Sequence, residues 1–173
     1  MVLLVMKKLL ILLILSTFLL SGCGIYNLNN FVLPDDIEFL TLVQELDTPE
    51  KIGDYMVKNF TYEIHDFTAQ SPYELFLSKK GDCDEFSDFG VFIADYHGYT
   101  TYQVKIFDNT LYQHYVAVYD EGIWYSITDN QNYYFGFDNF REIVDYVCDI
   151  RDKIWTKYIV YSYWNDIIEQ VTR

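Results

Sequence analysis

The sequence predicts an α+β fold, in which helices come first and an antiparallel sheet follows. From about residue 35 to residue 97, apolar side chains recur at helical spacing. From residue 101 to residue 128, short runs of β-branched and aromatic residues replace this pattern, with turn sequences between them. Helices followed by strands are typical of the α+β class.

Four helices are expected in the first part of the domain. The first three begin at residues that suit a helix N-terminus, namely acids, a hydroxyl cap and first-turn prolines. These starts are Pro34-Asp35-Asp36, Thr48-Pro49 and Ser71-Pro72. The fourth helix is expected from residue 83 to about residue 97, where Gly98 ends it. Its buried stripe consists of Phe86, Phe89, Gly90, Ile93 and Ala94.

Three strands are expected next, at residues 101–107, 113–119 and 123–128. Asp108-Asn109 and Asp120-Glu121-Gly122 supply the turns between them, so the strands form an antiparallel meander. A further helix is expected from residue 139 to about residue 149, and a further strand at residues 155–164.

The first 22 residues have the three parts of a secretory signal. Lys7 and Lys8 precede an uncharged run at residues 9–22, which is short for a spanning helix of roughly 20 apolar residues. The run ends in Leu20-Ser21-Gly22-Cys23, which resembles a bacterial lipobox. The resemblance implies cleavage before Cys23 and lipidation of its sulfur. An uncleaved anchor helix is the alternative, and in either case the remaining chain faces outward.

The domain organisation follows from this signal. Residues 1–22 are the expected signal peptide, residues 23–34 a tether and residues 35–173 one domain. Removing the signal leaves 10 basic and 26 acidic residues, a net charge of −16. Such a chain is repelled by nucleic acid, which is therefore not an expected partner. The aromatic content of 19% excludes a disordered tail.

Three residues have the chemistry of a thiol enzyme. Cys83 opens the fourth helix, where free N–H groups and the helix dipole stabilise a thiolate and can bind an oxyanion. His114 lies in the second expected strand, and Asp129 follows the third. Adjacent antiparallel strands can hold the two side by side, so that Asp129 orients His114 and His114 activates the thiol.

These residues resemble the transglutaminase-like superfamily, the circularly permuted relatives of papain-type proteases. The resemblance rests on Gly81-Asp82-Cys83, on His114, and on Trp124-Tyr125 followed by Asp129, and it covers roughly residues 47–135. It implies a papain-like core and a catalytic triad of Cys83, His114 and Asp129. It also implies a protein or peptide substrate, with no metal or organic cofactor.

Two features depart from the family pattern. The family aspartate corresponds to Thr128, one residue before Asp129, and a slip of one residue in a strand turns a side chain to the other face. Asn130 is an alternative orienting residue. An acidic cluster also surrounds Cys83 and opposes thiolate formation; it comprises Asp82, Asp84, Glu85 and Asp88. The cluster fails the EF-hand template, and we expect it to be a solvated helix face.

The sequence therefore predicts an exported, lipid-anchored thiol enzyme that transfers acyl groups from amides, with hydrolysis favoured over crosslinking. One alternative is a catalytically inactive binding module with the same fold. Another is a structural lipoprotein in which Cys83 and Cys148 form a disulfide, since paired cysteines are common in exported proteins.

Overall fold

A computed structural model of the chain describes residues 28–64, 69–110 and 112–173. It is a mixed α and β structure with five α-helices among the described residues. The helices are α1 (Ile37–Glu45), α2 (Pro49–Asn59), α3 (Pro72–Ser78), α4 (Cys83–Tyr96) and α5 (Phe140–Ile150). The expected signal peptide and Cys23 lie outside the described residues. Within those residues, no helix is both long and apolar enough to cross a membrane.

The strands form a large antiparallel sheet and a small parallel pair. The large sheet has the order β6-β5-β4-β3-β7-β8. Its strands are β3 (Thr100–Asp108), β4 (Gln113–Asp120), β5 (Tyr125–Asp129), β6 (Asn132–Phe137), β7 (Trp155–Ser162) and β8 (Ile167–Thr172). The parallel pair, β1 (Thr61–Tyr62) and β2 (Lys80–Gly81), lies directly before α4.

The helix starts follow the expected capping chemistry. The Thr48 hydroxyl accepts from the N–H of Lys51. Ser71 and Asp82 each form a capping box, with Glu74 and Glu85 respectively, which satisfies two N–H groups of a first turn. These local bonds fix where α2, α3 and α4 begin, and Cys83 is consequently the first residue of α4.

Apolar cores lie on both faces of the large sheet. Helices α1–α4 pack on one face, where Phe39, Ile52 and Phe89 meet Ala117 and Tyr119 of β4. Helix α5 packs on the other face; that core includes Val116, Val118, Ile143, Val147 and Trp155. Adjacent residues of β4 thus face different layers, as the alternation of a strand requires.

The expected α+β class and antiparallel meander are confirmed. Strands β6 and β8 and the parallel pair were not predicted, and β5 begins at Tyr125, two residues later than expected. Packing against the domain also begins before residue 35, because the Phe31 ring lies 4.8 Å from the Phe92 ring, edge to face.

Candidate active site

Cys83 is held at the start of α4 by a tight approach of the chain. The Asp82 N–H donates to Glu85 Oε2 over 2.9 Å, and the Asp82 side chain caps the helix. A Cβ at Gly81 would lie 2.6 Å from Glu85 Oε2 and 2.7 Å from Leu75 Cδ1. A side chain at position 81 would therefore have to displace the ends of the Glu85 and Leu75 side chains, and Glu85 is the residue that holds the turn before Cys83.

His114 and Asp129 are in direct contact. His114 Nε2 lies 2.6 Å from Asp129 Oδ1, and both side chains are about 4% exposed. In the β4–β5 register Asp129 pairs with Val116, so it shares the face of Val116 and of His114 two residues earlier. Thr128 points to the opposite layer, where its hydroxyl bonds with that of Tyr119. Asp129 lies one residue after the family position, and its carboxylate is on the same face of the sheet as His114. The regular register of β5 against β4 is sufficient for this contact.

Asn130 does not take the orienting position beside the imidazole. It has a φ of 51° in the turn between β5 and β6. Asp129, the last residue of β5, is the carboxylate in contact with His114.

Arg151 is a third member of this group that the sequence reasoning missed. It is the C-cap of α5, and its Nη2 lies 2.6 Å from Asp129 Oδ1 while its Nε lies 3.3 Å from Oδ2. Spacing along the chain gave no sign of it, because the contact depends on where α5 docks. The one available signal was chemical: a carboxylate buried at a strand end needs a cation or several donors.

The contacts set the charge states of the pair. Burial raises the pKa of Asp129, but the hydrogen bonds and charges of His114 and Arg151 outweigh it and lower that pKa below its usual value. Burial lowers the pKa of His114, and Asp129 only partly opposes this. The resting pair is therefore a carboxylate beside a neutral imidazole.

The remaining ring nitrogen of His114 is an open acceptor. An ionised carboxylate can only accept, so Nε2 carries the proton and Nδ1 has a free lone pair. Nδ1 is buried and has no hydrogen-bond partner among the described residues. It is the atom that could take a proton from a thiol.

Cys83 reaches the site from the other layer. Helix α4 packs on β4, and His114 is the second residue of β4. The Cys83 side chain is 4% exposed. Its electrostatic neighbours include Tyr62, Tyr112 and Arg151. The structure joins His114 to Asp129 directly, whereas no hydrogen bond joins Nδ1 to the thiol, so the triad remains a prediction.

Two tyrosines that the sequence reasoning missed stand beside the thiol. Tyr62 comes from β1, and Tyr112 directly precedes β4. Their hydroxyl groups share a hydrogen bond, and the Tyr112 ring stacks on His114 with ring centres 6.2 Å apart. Both tyrosines lie within electrostatic range of Cys83.

The acidic cluster is buried, which contradicts the expected solvated face. The cause is local bonding: Glu85 Oε1 accepts from the Gln70 N–H over 2.9 Å, and Asp88 Oδ1 accepts from Gln103 Nε2 over 2.7 Å. Burial and the neighbouring carboxylates Asp82, Asp88 and Glu85 raise the pKa of Asp84 to about 9. The neutral form of Asp84 is therefore favoured at neutral pH.

Three of these carboxylates are close enough to hold a cation. Asp82, Asp84 and Glu85 offer oxygen atoms within 4.8 Å of one another, and no other such group of His, Cys, Asp or Glu occurs in the described part of the chain. Oxygen ligands of this kind suit a hard divalent cation. The capping bonds already explain why the three lie together.

The disulfide alternative is contradicted by the structure, because Cys83 and Cys148 are both free thiols. Cys148 lies on α5 and, with His114 and Val147, lines a small apolar cavity beneath the site. Burial raises its pKa to about 11, so this thiol is unreactive at neutral pH.

Neither a scan against protein-family models nor a search of curated proteins finds a match. Among solved structures, Legionella pneumophila LapG is similar over 68% of this chain and 70% of its own, with 17% identity and a TM-score of 0.49. The calcium-bound form of LapG has 17% identity and a TM-score of 0.48, over 68% of this chain and 70% of its own. The EGTA-treated form has 16% identity and a TM-score of 0.49, over 70% of this chain and 72% of its own. This is a distant likeness of fold and does not define the reaction.

Proposed function

We propose that the chain is a thiol-dependent enzyme that cleaves an amide bond of a protein or peptide. Cys83 is the nucleophile, His114 the proton carrier and Asp129 the residue that orients His114. The observation that carries the proposal is the hydrogen bonding of the His114 imidazole. Its Nε2 is bonded to the buried Asp129 carboxylate, whereas its Nδ1 is buried and has no hydrogen-bond partner among the described residues. An accepting nitrogen in that state suits a general base.

The reaction has two halves. Nδ1 takes the thiol proton as the sulfur attacks the carbonyl carbon, and N–H groups at the start of α4 stabilise the oxyanion. The imidazolium then protonates the leaving amine, the C–N bond breaks, and a thioester remains on Cys83. A water gives its proton to Nδ1 and attacks the thioester, which releases a carboxylic acid and restores the thiol. An amine in place of water would give crosslinking.

Alkylation of thiols tests this proposal. The purified chain is treated with iodoacetamide at neutral pH, and the adducts are mapped by mass spectrometry. We expect Cys83 to label at least about tenfold faster than free cysteine, and His114→Ala to remove this advantage, because the base is then absent. Cys148 is the matched internal control: it is a free thiol with a raised pKa and stays unlabelled.

The opposite outcome identifies the alternative function. Labelling of Cys83 that is no faster than free cysteine, or that does not depend on His114, contradicts the enzyme and leaves an inactive binding module of the same fold.

We also propose that the protein acts outside the cytoplasm, anchored by lipid on Cys23. Support comes from the lysines, the apolar run and the lipobox-like end of residues 1–23. In bacterial cells fed a labelled fatty acid, the wild-type chain should carry label and sediment with membranes. Cys23→Ser should carry none, and equal labelling of the two proteins contradicts the anchor.

A further inference from the structure

A cavity of about 330 Å³ opens next to the candidate site. It is lined by Thr110, Tyr112, Arg151 and Lys153. Each of these side chains carries a hydrogen-bond donor, and none carries a negative charge. We refer to it as the donor-lined cavity. It is continuous with the site, because Tyr112 stacks on His114 and Arg151 binds Asp129.

The positive charges of this cavity face outward, and the carboxylates that balance them lie behind. Arg151 is 27% exposed and pairs with Asp129, which is 4% exposed. Lys153 is 43% exposed and lies 3.6 Å from Asp108, which is also 4% exposed. A ligand that enters the cavity thus meets the cations first, although the chain as a whole has a net charge of −14.

Both cations keep donor capacity for a ligand. Arg151 uses Nε and Nη2 on Asp129, while its Nη1 donates to none of the described residues. The Lys153 ammonium has three N–H groups, and among the described residues its one charged partner is Asp108, 3.6 Å away. The Thr110 hydroxyl is engaged by Asp108, so recognition falls to the two cations and the Tyr112 hydroxyl.

We infer that the donor-lined cavity binds a carboxylate of the substrate. A carboxylate presents two acceptor oxygens that match a guanidinium and an ammonium. A polyanion is disfavoured, because the net charge of −14 on the chain repels it. The position relative to Cys83 rests on the proposed function: Arg151 and Tyr112 both lie within electrostatic range of Cys83. The amide that is attacked therefore lies next to an acidic side chain or a free carboxyl terminus.

Binding of small amides tests the cavity without any reaction. The isotope-labelled full-length chain in detergent micelles is titrated with N-acetylglutamic acid α-amide, N-acetylglutamine or N-acetylglutamine amide. These probes carry a side-chain carboxylate, a terminal carboxylate or neither. We expect one or both acids to shift the NMR amide signals of Thr110 and Lys153 saturably, and the neutral probe to leave them in place. The acid that binds more tightly identifies the source of the carboxylate. Equal shifts from all three probes, or none, overturn the inference.

Alkylation provides a second test that joins the cavity to the thiol. Iodoacetate carries a carboxylate, and iodoacetamide is its neutral counterpart. Relative to free cysteine, we expect the rate ratio of iodoacetate to iodoacetamide at Cys83 to be raised about tenfold. Lys153→Gln should bring the ratio down at least threefold, and Lys58→Gln, which removes a lysine paired with Asp54 on α2, should leave it unchanged.

The two tests separate the two proposals. A ratio at Cys83 equal to that of free cysteine overturns the subsite while the enzyme stands. Failure of both reagents to label Cys83 contradicts the proposed function, and the NMR titration then still decides whether the cavity binds a carboxylate.

Discussion

Asp129 accepts hydrogen bonds from two sides, from the imidazole of His114 and from the guanidinium of Arg151. The two partners act oppositely on the imidazole. The carboxylate raises the pKa of His114, whereas the positive charge of Arg151 lowers it. Burial has the largest influence, and together with Arg151 it outweighs the carboxylate, so the pKa of His114 lies below its usual value of about 6.5.

Substitutions of these partners should therefore move the pKa of His114 in opposite directions. Asp129→Asn removes the group that raises it, so the pKa falls further below 6.5. Arg151→Gln removes a group that lowers it, so the pKa rises. NMR titration of the labelled histidine rings measures both, with Lys58→Gln as the control. Shifts in the same direction would show that Asp129 and Arg151 do not control the base as described.

Asp84 provides a second prediction at this scale. Its folded pKa of about 9 lies far above the value of about 3.8 in an unfolded chain. Between these values the unfolded chain has released a proton that the folded chain keeps, so the contribution of Asp84 to stability falls as the pH rises from about 4 to about 9. Asparagine mimics the protonated form and can still accept from the Glu85 N–H, a bond of 2.9 Å.

Asp84→Asn should consequently raise the free energy of unfolding at pH 7 by at least about 1.4 kcal/mol, the equivalent of one pKa unit. Urea denaturation at pH 4, 7 and 8.5 measures the difference, which should be near zero at pH 4 and grow with pH. A variant that is less stable than wild type at pH 7 would show that the charged carboxylate is the favoured form.

The three candidate catalytic residues could be identified from the sequence because each carries a local signal. Cys83 follows a glycine and a capping aspartate, and His114 and Asp129 lie in or at the end of aromatic-rich strands. The side of the strand to which Asp129 points could not be derived, because it depends on the register of β5 against β4. Arg151 and Tyr62 were out of reach for a similar reason, since neither lies near the triad in the sequence.

At the scale of elements, the approach of α4 to the sheet decides where Cys83 lies. Gly90 allows this approach: a Cβ at that position would collide with the Tyr119 hydroxyl and lie 3.2 Å from Thr128 Oγ1 and 3.3 Å from Ala117 Cβ. Gly90 is two turns after Cys83 on the same helix. A side chain there would push α4 outward and carry Cys83 with it.

Gly90→Ala should lower the free energy of unfolding by about 1–3 kcal/mol, as overpacking does, although alanine is favoured over glycine in a helix by about 1 kcal/mol. Tyr119→Phe removes the colliding hydroxyl and loses its hydrogen bond to Thr128, at a cost of about 1 kcal/mol. The double variant should be more stable than the sum of the two effects allows, which a double-mutant cycle in urea measures. Additive losses would show that the contact with Tyr119 does not limit the approach.

Elements with a clear pattern were predictable, and elements without one were not. Helix α4 and strands β3 and β4 lie where the sequence predicts them. Helix α4 and strand β4 are, however, buried along almost their whole length and not on one face alone. Strand β6 and the edge strand β8 are largely exposed, so no alternation of buried and exposed residues marks them in the sequence. The two-residue strands β1 and β2 exist only because distant segments meet.

For the whole molecule, the main difference from expectation is the second core. A helix at residues 139 to about 149 was predicted, but its amphipathic pattern does not say which face of the sheet it covers. The structure places α5 opposite α1–α4, so the sheet lies between two helical layers. This position brings Arg151 to Asp129, which is why the donor-lined cavity could not be predicted from the order of elements.

The candidate site therefore depends on both layers, with Cys83 on α4 and Arg151 at the end of α5. A chain in which α5 has not docked lacks the contact between Arg151 and Asp129, so one of the two partners of the buried carboxylate is missing. The proposed chemistry thus requires the complete fold, because both helical layers contribute residues to it.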